Sequence, residues 1–308
     1  MKIVTPQEMN QQASQSQVIS RVSIGQQGVN VRQDTIGVIA VDDGGDSTCV
    51  TTKKGVELYP SVKGIYGVRN ISEVKGKYDF IVEYKNEKYV MGDLAKYDCA
   101  IPLEMHSETK QHLFFDLSVL VSIHQYGYDQ NYLIVSVPIR MHTKEEKQGR
   151  VDRLKGVHTL TVNGITKTFT IMDVKVAPET AVAFWTHRFK GKTRYIDIGS
   201  RTVGYATTVY EGEVTRFIDS ESGTFFSMGI QALDEHYTPD ALGDYIIGKL
   251  SKIFKNTDKV YLLGGGALDE RLVERIQSYY PSARVMDNPR HINALGMYEL
   301  GRAAYGLH

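Results

Sequence analysis

The stretch Ile36-Gly-Val-Ile-Ala-Val-Asp-Asp-Gly-Gly-Asp-Ser-Thr48 decides the fold, because an apolar strand runs directly into two carboxylates and two glycines. Glycine has no Cβ and therefore lets the backbone come close to a ligand. Consecutive backbone N–H groups in such a turn form a nest that attracts anions. The stretch therefore predicts a buried strand that ends at an anion-binding turn, named here the first turn (residues 42–48).

The same arrangement of strand and turn occurs twice more along the chain. Tyr195-Ile-Asp-Ile-Gly-Ser-Arg-Thr-Val-Gly204 places Asp197 at the end of a second apolar strand, and residues 197–202 are named the second turn. Val260-Tyr-Leu-Leu-Gly-Gly-Gly-Ala267 ends a third apolar strand, and residues 264–267 are named the glycine turn. Two acidic turns from distant parts of the chain predict a cleft that holds one polyphosphate from opposite sides.

The composition is that of a globular protein large enough for two domains: 308 residues, 42% hydrophobic and 23% charged. Lys plus Arg (36) equals Asp plus Glu (36), so no net charge draws the chain to nucleic acid or anionic lipid. No apolar run reaches the roughly 18 residues of a membrane span, and residues 1–34 lack the apolar segment of a signal peptide. Cys49 and Cys99 have neither metal-ligand spacing nor a disulfide framework. We expect a cytoplasmic protein that contacts neither membrane nor nucleic acid directly.

The pattern of apolar residues predicts strands that alternate with helices, which indicates an α/β fold. In chain order it predicts a strand-rich region at 36–95, a buried helix at 111–125, a core strand at 132–138, a charged and exposed helix at 143–155, a hairpin with its turn at Asn163-Gly164, a helix from Thr238-Pro239 to Phe254, a strand at 259–263, and helices at 269–280 and 293–305.

Four local matches in this order resemble the ATPase superfamily of actin, Hsp70 and the sugar kinases. Within it, the chain most resembles the bacterial and archaeal actin-like proteins of the ParM and AlfA type that segregate plasmids. Val41-Asp-Asp-Gly44 resembles the family's first phosphate loop, and Ile196–Thr202 resembles its second. Val176-Ala-Pro-Glu179 resembles the strand end that supplies a catalytic glutamate. The glycine turn, followed by Asn293-Ala-Leu-Gly296, resembles the adenosine motif and the final connecting helix, so the resemblance covers residues 36–306.

The resemblance implies an actin-like (ribonuclease H-like) α/β fold of two domains with a nucleotide cleft between them. Residues 36–188 would form domain I, to which helix 293–306 returns, and residues 189–292 would form domain II. Residues 1–35 would be an N-terminal appendage. The short interval between Asp197 and Gly264 implies that subdomain IIB is missing, as in the AlfA-type proteins.

The resemblance also implies the roles of the site residues. Glu179 and Asp197 would be catalytic, Glu179 by orienting or deprotonating the attacking water. Asp42, Asp43 and Asp197 would hold Mg²⁺ directly or through water. The residues expected to bind the nucleotide are Asp43, Gly44, Gly45, Asp46, Ser47, Thr48, Gly199, Ser200, Arg201, Thr202, Gly264, Gly265, Gly266 and Ala267. The family's first loop usually carries a lysine where this chain reads Ser47-Thr48-Cys49, and Arg201 is the candidate for the missing charge.

The resemblance favours an ATPase that forms filaments. ATP or GTP would bind with Mg²⁺ between the domains, copies of the chain would polymerise, and hydrolysis would destabilise the polymer. The filament would segregate a plasmid or other DNA through a separate DNA-binding adaptor protein. Two alternatives stay open: a small-molecule kinase or phosphatase of the same superfamily, and a nucleotide-gated scaffold that does not polymerise. The chain has no GxxxxGK[ST] motif, which argues against the P-loop class of NTPases.

Overall fold

The structure, a computed structural model, describes residues 35–68, 70, 75–102, 110–232 and 238–307. These residues belong to the compact unit Asp34–His308. The predicted N-terminal appendage (residues 1–35) lies outside the described residues except for its last residue, Thr35.

The described residues form two β-sheets, whose strands are numbered along the chain. The strands are β1 (Ile36–Asp43), β2 (Ser47–Thr52), β3 (Gly55–Pro60), β4 (Lys63–Ile65), β5 (Asp79–Tyr84), β6 (Glu87–Gly92), β7 (Ile101–Pro102), β8 (Gln130–Val137), β9 (Gly156–Val162), β10 (Ile165–Pro178), β11 (Gly191–Ile198), β12 (Thr202–Tyr210), β13 (Thr215–Phe217), β14 (Gly223–Phe226), β15 (Val260–Leu263) and β16 (Arg284–Val285). The first sheet has the order β3-β2-β1-β8-β10-β9-β5-β6-β4-β7. The second has the order β13-β12-β11-β15-β16, with β14 paired to β12.

The helices lie between these strands and after them. The described α-helices are α1 (Asp93–Tyr97), α2 (Leu113–Tyr126), α3 (Lys144–Leu154), α4 (Phe184–His187), α5 (Pro239–Leu250), α6 (Glu270–Tyr279) and α7 (Ile292–Tyr305). Short 3₁₀ turns occur at Ile139–Met141, Ala181–Ala183, Asp219–Glu221, Ile230–Ala232 and Gly265–Leu268. Polar side chains cap several of the helix starts: Thr143, Thr238 and Asp269 each accept a hydrogen bond from a backbone N–H in the first turn of α3, α5 and α6.

The centre of each sheet is parallel, and this brings strand ends together. β1, β8 and β10 run parallel, with Val41, Val135 and Val176 in register. β11 and β15 run parallel in the second sheet, where Asp197 is in register with Leu263. Because the carboxyl ends of parallel strands meet at one edge of a sheet, the polar residues that follow these strands lie next to one another.

Helices cover both faces of β1. Ile39 and Val41 belong to an apolar cluster that includes residues of α2, whereas Val38 and Ala40 belong to a cluster that includes residues of α7. Successive side chains of a strand point to opposite faces, so the two helices lie on opposite sides of the sheet. The last helix of the chain therefore packs against the first strand. A strand buried on both faces reads as a continuous apolar run, as Ile36–Val41 does.

The second sheet has a core of its own. Ile196 and Ile198 of β11 pack in one cluster with α5 and α6, which contribute Leu242, Ile246, Leu272 and Ile276. The asymmetry between buried apolar and exposed charged positions is strong in α6, where Leu272 and Ile276 are the buried residues.

The α/β fold class and the predicted elements are confirmed, with end points shifted by a few residues. The hairpin turn at Asn163-Gly164 has φ of 53° and 83°, the pair of positive values that a type I′ turn requires. The helix predicted to run to Phe254 ends at Leu250. The prediction that 143–155 forms an exposed helix was wrong in one respect, because Glu146, Arg150 and Leu154 of α3 are buried. The domain boundaries and the missing subdomain IIB stay predictions. Within the described ranges, no helix has the length and apolarity to cross a membrane.

Candidate functional site

A cavity of about 700 Å³ lies between the first and second turns. The predicted site residues that line it are Asp42, Asp43, Gly44, Gly45, Asp46, Ser47, Glu179, Asp197, Gly199, Ser200, Arg201, Thr202, Gly264 and Gly265. Three predicted residues do not line it: Thr48, Gly266 and Ala267. The Thr48 hydroxyl is buried and lies 2.8 Å from the Ser61 hydroxyl. Gly266 and Ala267 are buried.

The first and second turns approach each other closely. A Cβ placed on Gly45 would lie 3.2 Å from Cδ of Arg201 and 3.5 Å from Oγ of Ser200. Asp46 makes two further contacts across the cavity: its Oδ1 accepts a hydrogen bond from Gln231 Nε2 (2.9 Å), and its Oδ2 lies 3.7 Å from Arg290. The cavity is therefore bounded by both turns rather than by one of them.

Asp43, at the end of β1, lies in a buried network of charges. Its side chain is 0% exposed, and its two oxygens accept hydrogen bonds from Lys110 Nζ (3.1 Å) and Arg150 Nη2 (2.9 Å). Arg150 is also fully buried and lies 3.6 Å from Asp116 of α2. Removing a charge from water is costly unless it is paired and hydrogen-bonded, and each ion here has such partners. Asp43 thus fixes the first turn to α3 and to Lys110, which precedes α2.

Asp42 and Glu179 meet at the hydroxyl of Ser136. The register of β1 and β8 places Asp42 beside Ser136, whose Oγ lies 2.9 Å from Asp42 Oδ1 and 3.3 Å from Glu179 Oε1. The same Glu179 oxygen accepts a hydrogen bond from Lys110 Nζ at 2.8 Å. Burial, and then the negative charge of Glu179, raise the pKa of Asp42 to about 7. The first turn therefore presents a carboxylate that gains from any added positive charge.

Glu179 is followed by a strained residue. Thr180 has φ 64° and ψ −55°, and the N–H of Ala181 donates to the carbonyl of Glu179 at 2.6 Å, which together define a γ-turn with positive φ. A threonine in this region costs roughly 1–3 kcal/mol and persists only where its surroundings enforce it. The Thr180 N–H donates to Asn293 Oδ1 (3.1 Å) and its hydroxyl donates to Asp197 (3.4 Å). Strain of this kind is concentrated at functional sites, and here the strained residue directly follows Glu179 and contacts Asp197.

Asp197, in the second turn, is held by neutral groups. Its Oδ2 accepts a hydrogen bond from Asn293 Nδ2 of α7 (2.8 Å), besides the contact with Thr180. Burial, opposed by the Asn293 hydrogen bond, raises the pKa of Asp197 to about 6. Gly264 packs directly against it, because a Cβ there would lie 2.4 Å from Asp197 Oδ1. Gly264 also has φ 84°, a value that side chains rarely adopt.

Several residues at the site are not among those predicted from the sequence. Lys110 precedes α2, Ser136 lies within β8, and Arg290 and Asn293 lie near the start of α7; all four line the cavity or contact a predicted site residue. The sequence places Asn293 in the connecting-helix motif but does not identify it as a site residue. Lys110 and Ser136 stand in unremarkable sequence, and tertiary structure alone brings them to the cavity.

Comparisons with known proteins agree with this architecture. Residues 40–181 match the family model for the N-terminal domain of actin-like proteins. None of the curated proteins matches the chain.

Three solved structures share the fold along nearly all of their own length. A 15-stranded ParM filament from Clostridium botulinum is 16% identical at a TM-score of 0.72, covering 87% of this chain and 99% of that one. AlfA from B. subtilis plasmid pLS32, in a filament, is 17% identical at a TM-score of 0.67 (84% and 97%). An AlfA filament bound to AMPPNP is 18% identical at a TM-score of 0.65 (88% and 97%). The resemblance drawn from the sequence is thereby confirmed: residues 40–181 match the N-terminal domain of actin-like proteins, and the chain has the actin-like fold of ParM and AlfA.

Proposed function

We propose that the protein binds a nucleoside triphosphate with Mg²⁺ in the cavity, hydrolyses it, and forms filaments with copies of itself. The observation that carries the proposal is the close approach of two glycine-containing acidic turns across one cavity that also contains Glu179. A cavity of about 700 Å³ is within the usual size range of a ligand site. One of the similar structures is an AlfA filament bound to AMPPNP, an analogue of ATP.

The chain's own groups suit the recognition of phosphate. Backbone N–H groups of the first turn and of residues 199–202 would cradle the phosphates, helped by the Ser47, Ser200 and Thr202 hydroxyls. Among the described residues, the cationic side chains that line the cavity are Lys110, Arg201 and Arg290. Leu268 and Phe226 line the cavity as exposed apolar side chains and offer surface to a nucleobase.

The residues present fit a magnesium ion that is bound by phosphate oxygens together with carboxylates of the protein. Mg²⁺ keeps several waters and takes one or two carboxylates. Asp42 and Asp197 face the cavity with raised pKa values, so a cation beside them would favour their charged forms. Among the described residues, no group of three or more His, Cys, Asp or Glu side chains is placed to hold a metal ion. Bound Mg²⁺ would neutralise charge on the β- and γ-phosphates. Asp43 would anchor the first turn, since both of its oxygens are already paired.

Hydrolysis requires a group that positions water for attack on the γ-phosphate. Glu179 is our candidate, since it lies at the end of β10, lines the cavity and directly precedes the strained residue Thr180. Its carboxylate would accept a hydrogen bond from the water and take up its proton as the new bond to the γ-phosphorus forms. The bond from that phosphorus to the bridging oxygen would break at the same time, and the nucleoside diphosphate would leave with the bond's electron pair. Asp197 would orient the ion or its water shell from the opposite turn.

The filament and its cargo rest on relatives. The similar structures include ParM and AlfA filaments, and one AlfA comes from a plasmid. We propose by analogy that this chain polymerises to segregate a plasmid or other DNA. The equal numbers of basic and acidic residues favour an indirect link to DNA through a DNA-binding adaptor protein.

The test combines sedimentation with phosphate release. We expect wild-type protein to pellet when Mg²⁺ and ATP or GTP are added, and to release phosphate as the polymer disassembles. Glu179→Gln should bind nucleotide and pellet, but its rate of phosphate release should be lower than that of wild type by a factor of about 100 or more. Glu87→Gln, at an exposed position of the β5–β6 hairpin, is the control and should behave as wild type.

Binding and phosphate release without pelleting would indicate the non-polymerising scaffold, and transfer of phosphate to a small molecule would indicate the kinase. Failure of the wild type to bind either nucleotide would reject the proposal.

A further inference from the structure

Lys110 holds an ammonium group at the inner end of the cavity. Its side chain is 8% exposed, and Nζ lies 3.1 Å from Asp43 Oδ1 and 2.8 Å from Glu179 Oε1. The main chain of Lys110 is fixed from α3: its N–H donates to Glu146 Oε1 (3.1 Å) and its carbonyl accepts from Arg150 Nη1 (3.1 Å). Burial alone would lower the pKa of Lys110, but the surrounding carboxylates outweigh it and raise the pKa, so the group stays charged.

Asp43 does not depend on Lys110 alone for its positive partner. Arg150 already pairs with the other oxygen of Asp43 from a fully buried position. The contact of Lys110 with Glu179 is the shorter of its two contacts, and it involves the residue that would have to accept a proton from water. The ammonium occupies Glu179 Oε1, an oxygen that could otherwise accept a hydrogen bond from the attacking water. The pair as it stands therefore opposes the role of Glu179.

The first turn has no lysine of its own. Residues 42–48 read Asp-Asp-Gly-Gly-Asp-Ser-Thr, so the turn offers backbone N–H groups but no cationic side chain. Arg290 is 41% exposed and lies near Asp46 at the rim of the cavity, where water weakens its charge. Lys110 is enclosed, and its charge acts there with far less screening. Its four-carbon side chain can rotate from a carboxylate to a nearby anion without movement of the fixed backbone.

We propose that Lys110 supplies the phosphate-binding ammonium that the first turn lacks, and that it moves from Glu179 to the terminal phosphates when a nucleoside triphosphate binds. This inference rests on the proposed function. It links nucleotide binding to hydrolysis: Lys110 occupies Glu179 Oε1 when no nucleotide is bound, and that oxygen becomes accessible to the attacking water when phosphate draws the ammonium away.

The test measures affinity for a series of nucleotides in the full-length chain. Lys110→Met keeps the length of the side chain and removes the charge. Calorimetry with Mg²⁺ should show about 10- to 100-fold weaker binding of the triphosphate, a smaller loss for the diphosphate and almost none for the monophosphate. Lys63→Met is the matched control, because Lys63 is also buried in this region but donates to Phe114 O and Ser118 Oγ, outside the cavity. It should leave all three affinities within about twofold of wild type.

A second pair of variants keeps the proposal testable if Lys110→Met does not fold. In Glu179→Gln the lysine has already lost its anionic partner, so Glu179→Gln and the double variant Lys110→Met/Glu179→Gln differ by the ammonium alone. We expect the double variant to bind the triphosphate at least about 10-fold more weakly than Glu179→Gln does. Equal affinity in that pair, or an equal loss for mono-, di- and triphosphate in Lys110→Met, would overturn the role of Lys110. Wild-type protein that binds no nucleotide would instead reject the proposed function itself.

Discussion

The first and second turns both place an acid at the end of a buried strand, but they hold it by different chemistry. Asp43 is fully buried between Lys110 and Arg150, with two charged partners. Asp197 is held by the amide of Asn293 and the hydroxyl of Thr180, both neutral. The contrast shows that similar motifs hold their acids in different ways: Asp43 anchors its turn through two buried cations, whereas Asp197 has neutral partners and is the acid that we propose for binding a cation in the cavity.

The largest effect should come from removing the charge of Asp43. Asp43→Asn leaves the buried Arg150 and Lys110 without their shared anion, and loss of one partner of a buried ion pair costs about 3–5 kcal/mol of unfolding free energy. Asp197→Asn should not destabilise the protein at pH 7, because the partners of Asp197 are neutral and the variant no longer buries a charge. Urea denaturation at pH 7 measures both. Equal losses in the two variants would show that the turns are not held differently.

The next largest loss of stability should come from a side chain added at Gly264, which packs against the second turn. Gly264→Ala forces a side chain onto a residue with φ 84° and places its Cβ 2.5 Å from Ile198 O, so we expect a loss of about 3 kcal/mol. Gly265→Ala is the matched control, since a Cβ there meets nothing within 4 Å. Thermal denaturation compares the two. A stable Gly264→Ala protein would mean that Asp197 does not need this close contact.

The titration of Asp197 should separate the turns further. Burial raises its pKa from 3.8 to about 6, so between these values the folded state binds a proton that the unfolded state has released. Stability contributed by this group is unaffected below pH 3.8, falls as the pH rises to 6, and is lower by roughly 2–3 kcal/mol above it. Asp197→Asn lacks the titration, so the difference between wild type and variant should grow across this window. A difference that is constant from pH 4 to pH 7 in denaturation curves would contradict the raised pKa.

The fold was predictable from sequence because its signals are local. The apolar run of β1, the Asn163-Gly164 turn and the cap at Thr238 each specify their element through neighbouring residues. The positions of the acids at the strand ends could also be predicted, because parallel strands bring their ends together at one edge of a sheet. Lys110 was not, because nothing in its surroundings along the chain distinguishes it from a surface lysine. Arg150 lies in a helix that is charged on every side, and only its contact with Asp43 shows why it is buried.

The smallest effect should come from the charges at the rim of the cavity. Asp46 and Arg290 are 49% and 41% exposed and 3.7 Å apart, so water screens their attraction. Asp46→Asn also keeps a partner for Gln231, and we expect stability to change by less than about 1 kcal/mol. Denaturation should be measured at low salt and at about 1 M salt. At the higher concentration the difference in stability between wild type and Asp46→Asn should disappear, because the screening length falls to roughly 3 Å. Asp43→Asn should keep its deficit in the same salt. If both variants responded alike to salt, burial would not be what distinguishes the anchor of the first turn from its rim.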